Sequence, residues 1–255
     1  MQNKLITLTA NWNVSSKVKT IITTRFGGFS KPPYDSFNLA NHVNDNPEDV
    51  IQNRSLLAKL LPTSEVTWLN QTHSNAVIEL NSTDKYNNTP CDASYTRNPQ
   101  TICAVLTADC LPILLTNNQE DFVAAIHAGW KGVANGIIAN TVKTINTDPR
   151  QIKAFIGPSI TQQYFQVGED VKHIFCNLDQ ENNQFFVVDI TEKGKYLCDI
   201  IAIAMQQLLK IGLLEHNISI SQHCTYQNPE FYSYRQNNVT GRFTSLIWLD
   251  TASKF

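Results

Sequence analysis

Apolar positions along this chain fall into two rhythms. From 46 to 61, NPEDVIQNRSLLAKLL sets Val50, Ile51, Leu56, Leu57 and Leu60 at helical spacing behind a start signal, with Asn46 as cap, Pro47 in the first turn and acids next. Short apolar runs follow at EVTWL (65–69), AVIEL (76–80), TICAVL (101–106), PILLT (112–116) and DFVAAIH (121–127). They predict strands, several apolar at consecutive positions, as strands buried on both faces require. AGWKGVANGIIANTVKTI (128–145) then repeats Val133, Ile137, Ile138 and Val142 at helical spacing, and IKAFIGP (152–158) reads as a strand, so a strand–helix–strand unit is expected. The later half predicts a helix over FQVGEDVKHIFCNL (165–178), a strand at QFFVVDI (184–190) and a helix from about Thr191 to Leu209. Strands at ISISQH (218–223) and FTSLIWL (243–249) close a mixed α/β pattern.

Composition narrows the class. With 255 residues, 42% hydrophobic and 16% charged, the chain is long enough for one large domain with its own core. No repeat or long Gly/Ser/Pro linker divides it. The weakest stretch is NSTDKYNNTP (81–90), and residues 1–255 read as a single domain. A net charge of −2, from 20 basic and 22 acidic side chains, supplies no field for a nucleic-acid backbone or an anionic membrane. The start, MQNKLITLTANWNVSS, lacks signal-peptide features and no window holds the ~20 apolar residues of a spanning helix, so a soluble cytoplasmic protein is expected. The absence of a long amphipathic seam favours a monomer. Six cysteines in a chain of this length and kind predict free thiols rather than a disulfide framework.

Three positions combine metal-ligating chemistry with a place at the end of a predicted strand or beside one. They are His73 in WLNQTHSNAV, Cys110 in CAVLTADCLPILL and His127 in FVAAIHAGWKG. Strand ends in α/β proteins hold the backbone fixed while adjoining loops stay open to a ligand. Two imidazoles and a thiolate suit Zn²⁺ and leave a fourth position for water or substrate. Spacing alone also accommodates a buried thiol with two hydrogen-bonded histidines. Asp109, beside Cys110, is a candidate to orient an imidazole or shuttle a proton, or simply to cap a turn. His42, His173, His216 and His223 show no partner pattern and are given no role.

The blocks TTRFGGFSKPPYDSFNLANHVNDNPEDVIQNR, LNQTHS, CDASYT, LTADCLPILL, AAIHAGWKGVANGII, IGPSI and CTYQNPEFYSYRQNNVTGRFTSLIWL occur in one order across nearly the whole chain. Through them the chain resembles the YfiH family, also described as multicopper polyphenol oxidases (laccase-like) and as peptidoglycan editing factors. The resemblance implies a single mixed-sheet α/β domain with helices on the outer faces, similar to the fold of cytotoxic necrotising factor toxins. It implies metal ligation by His73, Cys110 and His127, with Cys110, His127 and Asp109 as the catalytic group. The implied activity is phosphorolysis of adenosine, inosine and S-methyl-5′-thioadenosine to free base and (methylthio)ribose 1-phosphate, with adenosine deamination. Zn²⁺ is the implied ion, with Cu²⁺ as a substitute, and a small nucleoside and phosphate are the partners. Arg25, Arg54, Arg235 and Arg242 lie on the matched blocks and are candidates for a phosphate cradle. Phe26, Trp130, Phe231, Tyr232 and Tyr234 are candidates to stack on a purine, or to pack in the core. Ser159 and Gln163 stand where many members carry Cys, away from the metal triad. The laccase label fits poorly, because several coppers need on the order of ten His ligands and this chain has six. Two alternatives remain: a Cys–His hydrolase using Cys110, and peptidoglycan-precursor editing by removal of UDP-MurNAc-L-Ser.

Overall fold

The computed structural model describes residues 5–81 and 86–250. Among them the strands are β1 (Thr7–Leu8), β2 (Val18–Thr23), β3 (Val77–Glu79), β4 (Ala93–Thr96), β5 (Cys103–Thr107), β6 (Leu111–Asn117), β7 (Val123–Ala128), β8 (Ile152–Ile156), β9 (Gln166–Gly168), β10 (Phe186–Val188), β11 (Lys195–Cys198), β12 (Ile218–Ile220) and β13 (Phe243–Leu249). The helices are α1 (Pro47–Ala58), α2 (Trp130–Ala134), α3 (Ile137–Ile145), α4 (Glu169–Leu178) and α5 (Ile200–Ile211). A mixed six-stranded sheet runs β12-β8-β6-β7-β4-β3, an antiparallel four-stranded sheet runs β1-β2-β13-β5, and a small antiparallel sheet runs β10-β11-β9. In the large sheet β6 is antiparallel to both β7 and β8, so β7 and β8 are parallel with β6 between them. The strand–helix–strand unit is therefore a crossover over one intervening strand.

Side-chain alternation along each strand turns these elements into layers. Ile113 and Leu115 of β6, Ala124 and Ile126 of β7, and Ala154 and Ile156 of β8 face one way, against Val133, Ile138 and Val142 of the α2–α3 pair and Ile203 and Leu208 of α5. Their neighbours Leu114, Val123, Ala125 and Phe155 face the other way, against Val105 of β5 and Phe243 and Ile247 of β13. The outer face of the four-stranded sheet, with Ala104, Leu106 and Leu246, is covered by Leu57 of α1 and by Phe37 and Leu39. The order is helices, sheet, sheet, helix: the helices lie on the outer faces, as the resemblance implies, but two large sheets rather than one form the middle, and both are buried on two faces. His127 has the parity of Val123 and Ala125, so its side chain leaves β7 toward the four-stranded sheet.

Several elements differ from the sequence reading. EVTWL forms no regular strand. It lies beside residues 86–91, the Asn88 amide donating to the Trp68 carbonyl at 2.9 Å and the Asn70 amide to the Thr89 carbonyl at 3.0 Å, with one isolated bridge between Asn70 and Pro90. The helix expected over 128–145 is broken at Gly136, whose φ is +80°. The helix expected over 165–178 starts only at Glu169, because Gln166–Gly168 pairs with β11, and the one expected from Thr191 starts at Ile200, because Lys195–Cys198 is strand. VKTIIT and ASYT, which carry too few consecutive apolar residues to stand out, are β2 and β4. Within NSTDKYNNTP, residues 82–85 lie outside the described residues, as do residues 1–4 of the N-terminal stretch. No helix among the described residues is long and apolar enough to cross a membrane.

Candidate metal centre

Three elements of different origin bring their side chains to one point. His127 comes from the end of β7, Cys110 from the turn between β5 and β6, and His73 from the loop ahead of β3. Both loop positions use left-handed backbone, His73 at φ 58° and the neighbour Asp109 at φ 88°, a region that side-chain-bearing residues seldom adopt. The ligand atoms of the three lie within 4.8 Å of one another. Cys110 Sγ is 3.8 Å from His73 Nε2, and the two imidazoles meet edge-on with centroids 4.8 Å apart. A tetrahedral ion with Zn–N and Zn–S bonds of usual length separates neighbouring N and S ligands by about 3.5 Å. The donor set therefore fits a borderline-soft divalent ion with three protein ligands. Gly129 makes room for it: a Cβ there would stand 2.6 Å from His73 Cδ2 and 3.1 Å from Cys110 Sγ.

Asp92 organises both histidines. Its Oδ1 takes the His127 Nδ1 proton at 2.7 Å and the His73 amide at 3.0 Å. Its Oδ2 accepts from the Thr72 amide at 3.1 Å and from the Ser74 amide and hydroxyl, each at 2.7 Å. The carboxylate thus fixes the His73 loop through its backbone and the His127 ring through its tautomer, leaving His127 Nε2 as a lone-pair donor. Gln71 secures the same loop to β5 with a two-point bond to Leu106, donating to its carbonyl and accepting from its amide, both at 2.8 Å. Asp92 stands inside the CDASYT block, and nothing in spacing or periodicity marks it as the orienting acid.

The electrostatics follow from this geometry. Burial alone would raise the Cys110 thiol, but the His127 charge and hydrogen bonds from both imidazoles bring it down to about 6. Burial likewise opposes a charged His127, and the Cys110 thiolate and Asp92 outweigh it, raising the ring to about 9. Asp92, also against its burial, is held at about 2 by the hydrogen bonds of His127 and Ser74. By contrast burial pushes Cys91 up to about 11 and Cys103 up to about 12. Cys110 thus has the thiolate character that ligands and nucleophiles need.

The centre opens into a cleft of about 420 Å³, walled by Gln71, Leu106–Ala108, His42, Tyr234 and Arg242. Of the four arginines considered from the sequence, Arg242 lines it. Arg25 forks onto Asp35 and lies over the Tyr232 ring, and Arg54 donates twice to the Leu39 carbonyl and stacks on Trp68. Arg235 donates to the Tyr164 carbonyl and borders a separate shallow groove. Asp109 is not beside an imidazole; its two oxygens accept from the Thr225 hydroxyl and the Arg235 amide, each at 2.7 Å, and tie the Cys110 turn to the C-terminal loop. Of the five aromatics, Tyr234 reaches the cleft, Phe231 and Tyr232 are buried in the core, Trp130 at the start of α2 is partly buried against the helix-side core, and Phe26 is exposed. His42, given no role from the sequence, also lines the cleft.

Fold and cleft together define an α/β protein built around one His/Cys/His centre. A family model described as multi-copper polyphenol oxidoreductase laccase matches residues 19–250, and the chain belongs to that family, the one its motif blocks resemble. It is similar to the purine nucleoside phosphorylase of Haemophilus influenzae, 43% identical over 243 residues covering 94% of this chain and 98% of that one. The purine nucleoside phosphorylase YfiH of Escherichia coli is 42% identical over 241 residues, covering 93% and 96%. A solved Neisseria meningitidis protein of family DUF152 superposes with a TM-score of 0.90 at 40% identity, over 96% of this chain and 99% of that one. Among the described residues, His73, Cys110 and His127 are the one group of three or more His, Cys, Asp or Glu placed to hold an ion. That is a single centre where the family description speaks of several coppers.

Proposed function

We propose that this protein is a zinc-dependent purine nucleoside phosphorylase that also deaminates adenosine, acting as a cytoplasmic, single-domain monomer on small molecules. Adenosine, inosine and S-methyl-5′-thioadenosine are its substrates, and Cu²⁺ is a substitute ion. The observation that carries the reading is the His73/Cys110/His127 set, ordered by Asp92, in a cleft that Arg242 also lines. The names borne by relatives at 42–43% identity support it. In phosphorolysis the C1′–N9 bond breaks, a phosphate oxygen bonds C1′, and the proton of hydrogen phosphate ends on the purine. Asp92 holds His127 in one tautomer throughout, and Arg242 offsets the charge of the incoming anion. Deamination adds water at C6 of adenine and releases ammonia. An ion held by the three ligands supplies Lewis acidity to this chemistry.

One observation favours a second reading. Asp92, His127 and Cys110 also stand in the acid–imidazole–thiol order of a Cys-nucleophile hydrolase. His73, 3.8 Å from the same sulfur, is surplus to such a triad and is accounted for by a metal. Metal content, ammonia, free base and ribose 1-phosphate should be measured on purified protein given adenosine with and without phosphate. Bound zinc, phosphate-dependent base release and loss of both in Cys110→Ala are expected. Full turnover by metal-free protein, abolished by alkylation of Cys110, would establish the hydrolase instead.

A further inference from the structure

Hydrogen-bonding capacity in this cleft is distributed unevenly. At some groups it is spent: Gln71 is bound at both ends to Leu106, and Asp92 accepts from both imidazole-bearing segments. Elsewhere along the cleft lining it is unspent, the buried Thr107 hydroxyl included. Arg242 uses Nη1 for the Thr240 and Gly241 carbonyls, both at 3.0 Å, and its Nε and Nη2 make no hydrogen bond among the described residues. The ring of His42 and the hydroxyl of Tyr234 have no hydrogen-bond partner there either. The Arg242 guanidinium lies 5.7 Å over the Tyr234 ring, and its two backbone anchors hold it there. No Asp or Glu is among the residues lining the cleft.

We propose that Arg242 and His42 together form the oxyanion subsite of this cleft, with inorganic phosphate as the ion it takes. Identifying the ion as phosphate rests on the phosphorylase reading above. A half-buried, anchored guanidinium with free N–H groups is shaped for a tetrahedral oxyanion, and no carboxylate is among the groups lining the cleft to compete for it. His42 adds discrimination. Partial desolvation and the charges of Arg242, Arg54 and His127 hold its ring below the ordinary value, which favours the neutral form, able both to donate and to accept. Hydrogen phosphate offers acceptors to Arg242 and one O–H for which a neutral imidazole is the matching acceptor. Arg54 remains committed to Leu39 and acts on His42 only through its charge.

The test uses metal-loaded protein and three variants, Arg242→Gln, His42→Phe and His42→Gln, each first matched to wild type in metal content and melting temperature. Inorganic phosphate is titrated calorimetrically without nucleoside, and KM for phosphate and for inosine is measured separately. Wild type should bind phosphate. Arg242→Gln and His42→Phe should weaken that binding and raise KM for phosphate by about tenfold or more, with a smaller change for inosine. His42→Gln, which keeps a donor and an acceptor, should recover part of the loss. Variants that bind phosphate as tightly as wild type, with unchanged KM for phosphate, overturn the subsite even if the protein is a phosphorylase. Phosphate binding lost in the variants without any phosphorolysis by wild type leaves the subsite standing and removes the phosphorylase reading. Wild-type protein that neither binds phosphate nor uses it overturns both.

Discussion

The Asp92 carboxylate takes hydrogen bonds from the segments carrying two of the three ligands, and its removal is the sharpest test of the centre. Asp92→Asn keeps the size but loses the charge and an acceptor, so metal affinity should fall about 10- to 100-fold, read by chelator competition; unchanged affinity would reduce Asp92 to a loop anchor. The same residue controls acid stability of the metal-free protein. Its carboxyl is depressed from 3.8 to about 2, so its contribution is complete above the unfolded value and is lost as the pH falls through about 2. His127 is raised from 6.5 to about 9, so its contribution is complete below 6.5 and is lost as the pH rises through about 9. Cys110, lowered from 9.0 to about 6, runs the opposite way on that alkaline side, being complete above 9.0 and lost as the pH falls through about 6. The acid limb is therefore the clean one. Melting curves between about pH 5 and pH 2 should show wild type losing roughly 2 kcal/mol more than Asp92→Asn; parallel curves would contradict the assignment. Gly129→Ala tests the space beside the ligands, since its φ of −66° suits alanine while the added methyl meets His73. It should fold with near-normal stability and lose metal affinity.

At the level of elements, the start of α1 was legible, whereas the starts of α4 and α5 and the interruption between α2 and α3 were not. Asn46 caps α1 through Glu48 and Pro47 opens it, as the local signal required, although Ile51 points to solvent where Val50 and Leu57 are buried. The break at Gly136 has the same apolar spacing on both sides, so periodicity reads through it; what divides α2 from α3 is a left-handed residue. Gly136→Ala meets no neighbouring atom within 4 Å and isolates the backbone cost, about 1 kcal/mol, seen as a fall in melting temperature of about 2–4 °C. An unchanged melting temperature would mean that the chain passes through this point as one helix. Strands β9 and β11 escaped because each is short and lies beside a helical stretch whose period extends over it; only pairing, of β9 with β11 and of β11 with β10, makes them strands.

Across the whole molecule, the centre joins parts far apart in sequence: a loop before β3, the β5–β6 turn that links the two large sheets, and the last strand before α2. An ion held there stabilises the folded state as a whole. Zinc at about 100 times its dissociation constant should add about 2.7 kcal/mol, a rise of roughly 5–10 °C in melting temperature, reversed by chelator. The shift should be absent in Cys110→Ala and intermediate in His73→Ala and His127→Ala, because the thiolate contributes charge as well as a lone pair. A full shift in Cys110→Ala would remove the thiolate from the centre. By itself the sequence determined the α/β class, most strands of the buried sheets though not β2 and β4, and which His and Cys positions were candidates for the centre, because those rest on local periodicity and on residue types whose chemistry is their own. The tertiary structure alone decided that Asp92 and not Asp109 orients an imidazole, that Arg242 and not Arg25, Arg54 or Arg235 lines the cleft, and that His42 stands there too. Carboxylates, guanidiniums and imidazoles take their roles from whichever partner lies within about 3 Å, and that partner comes from wherever the sheets bring the chain back.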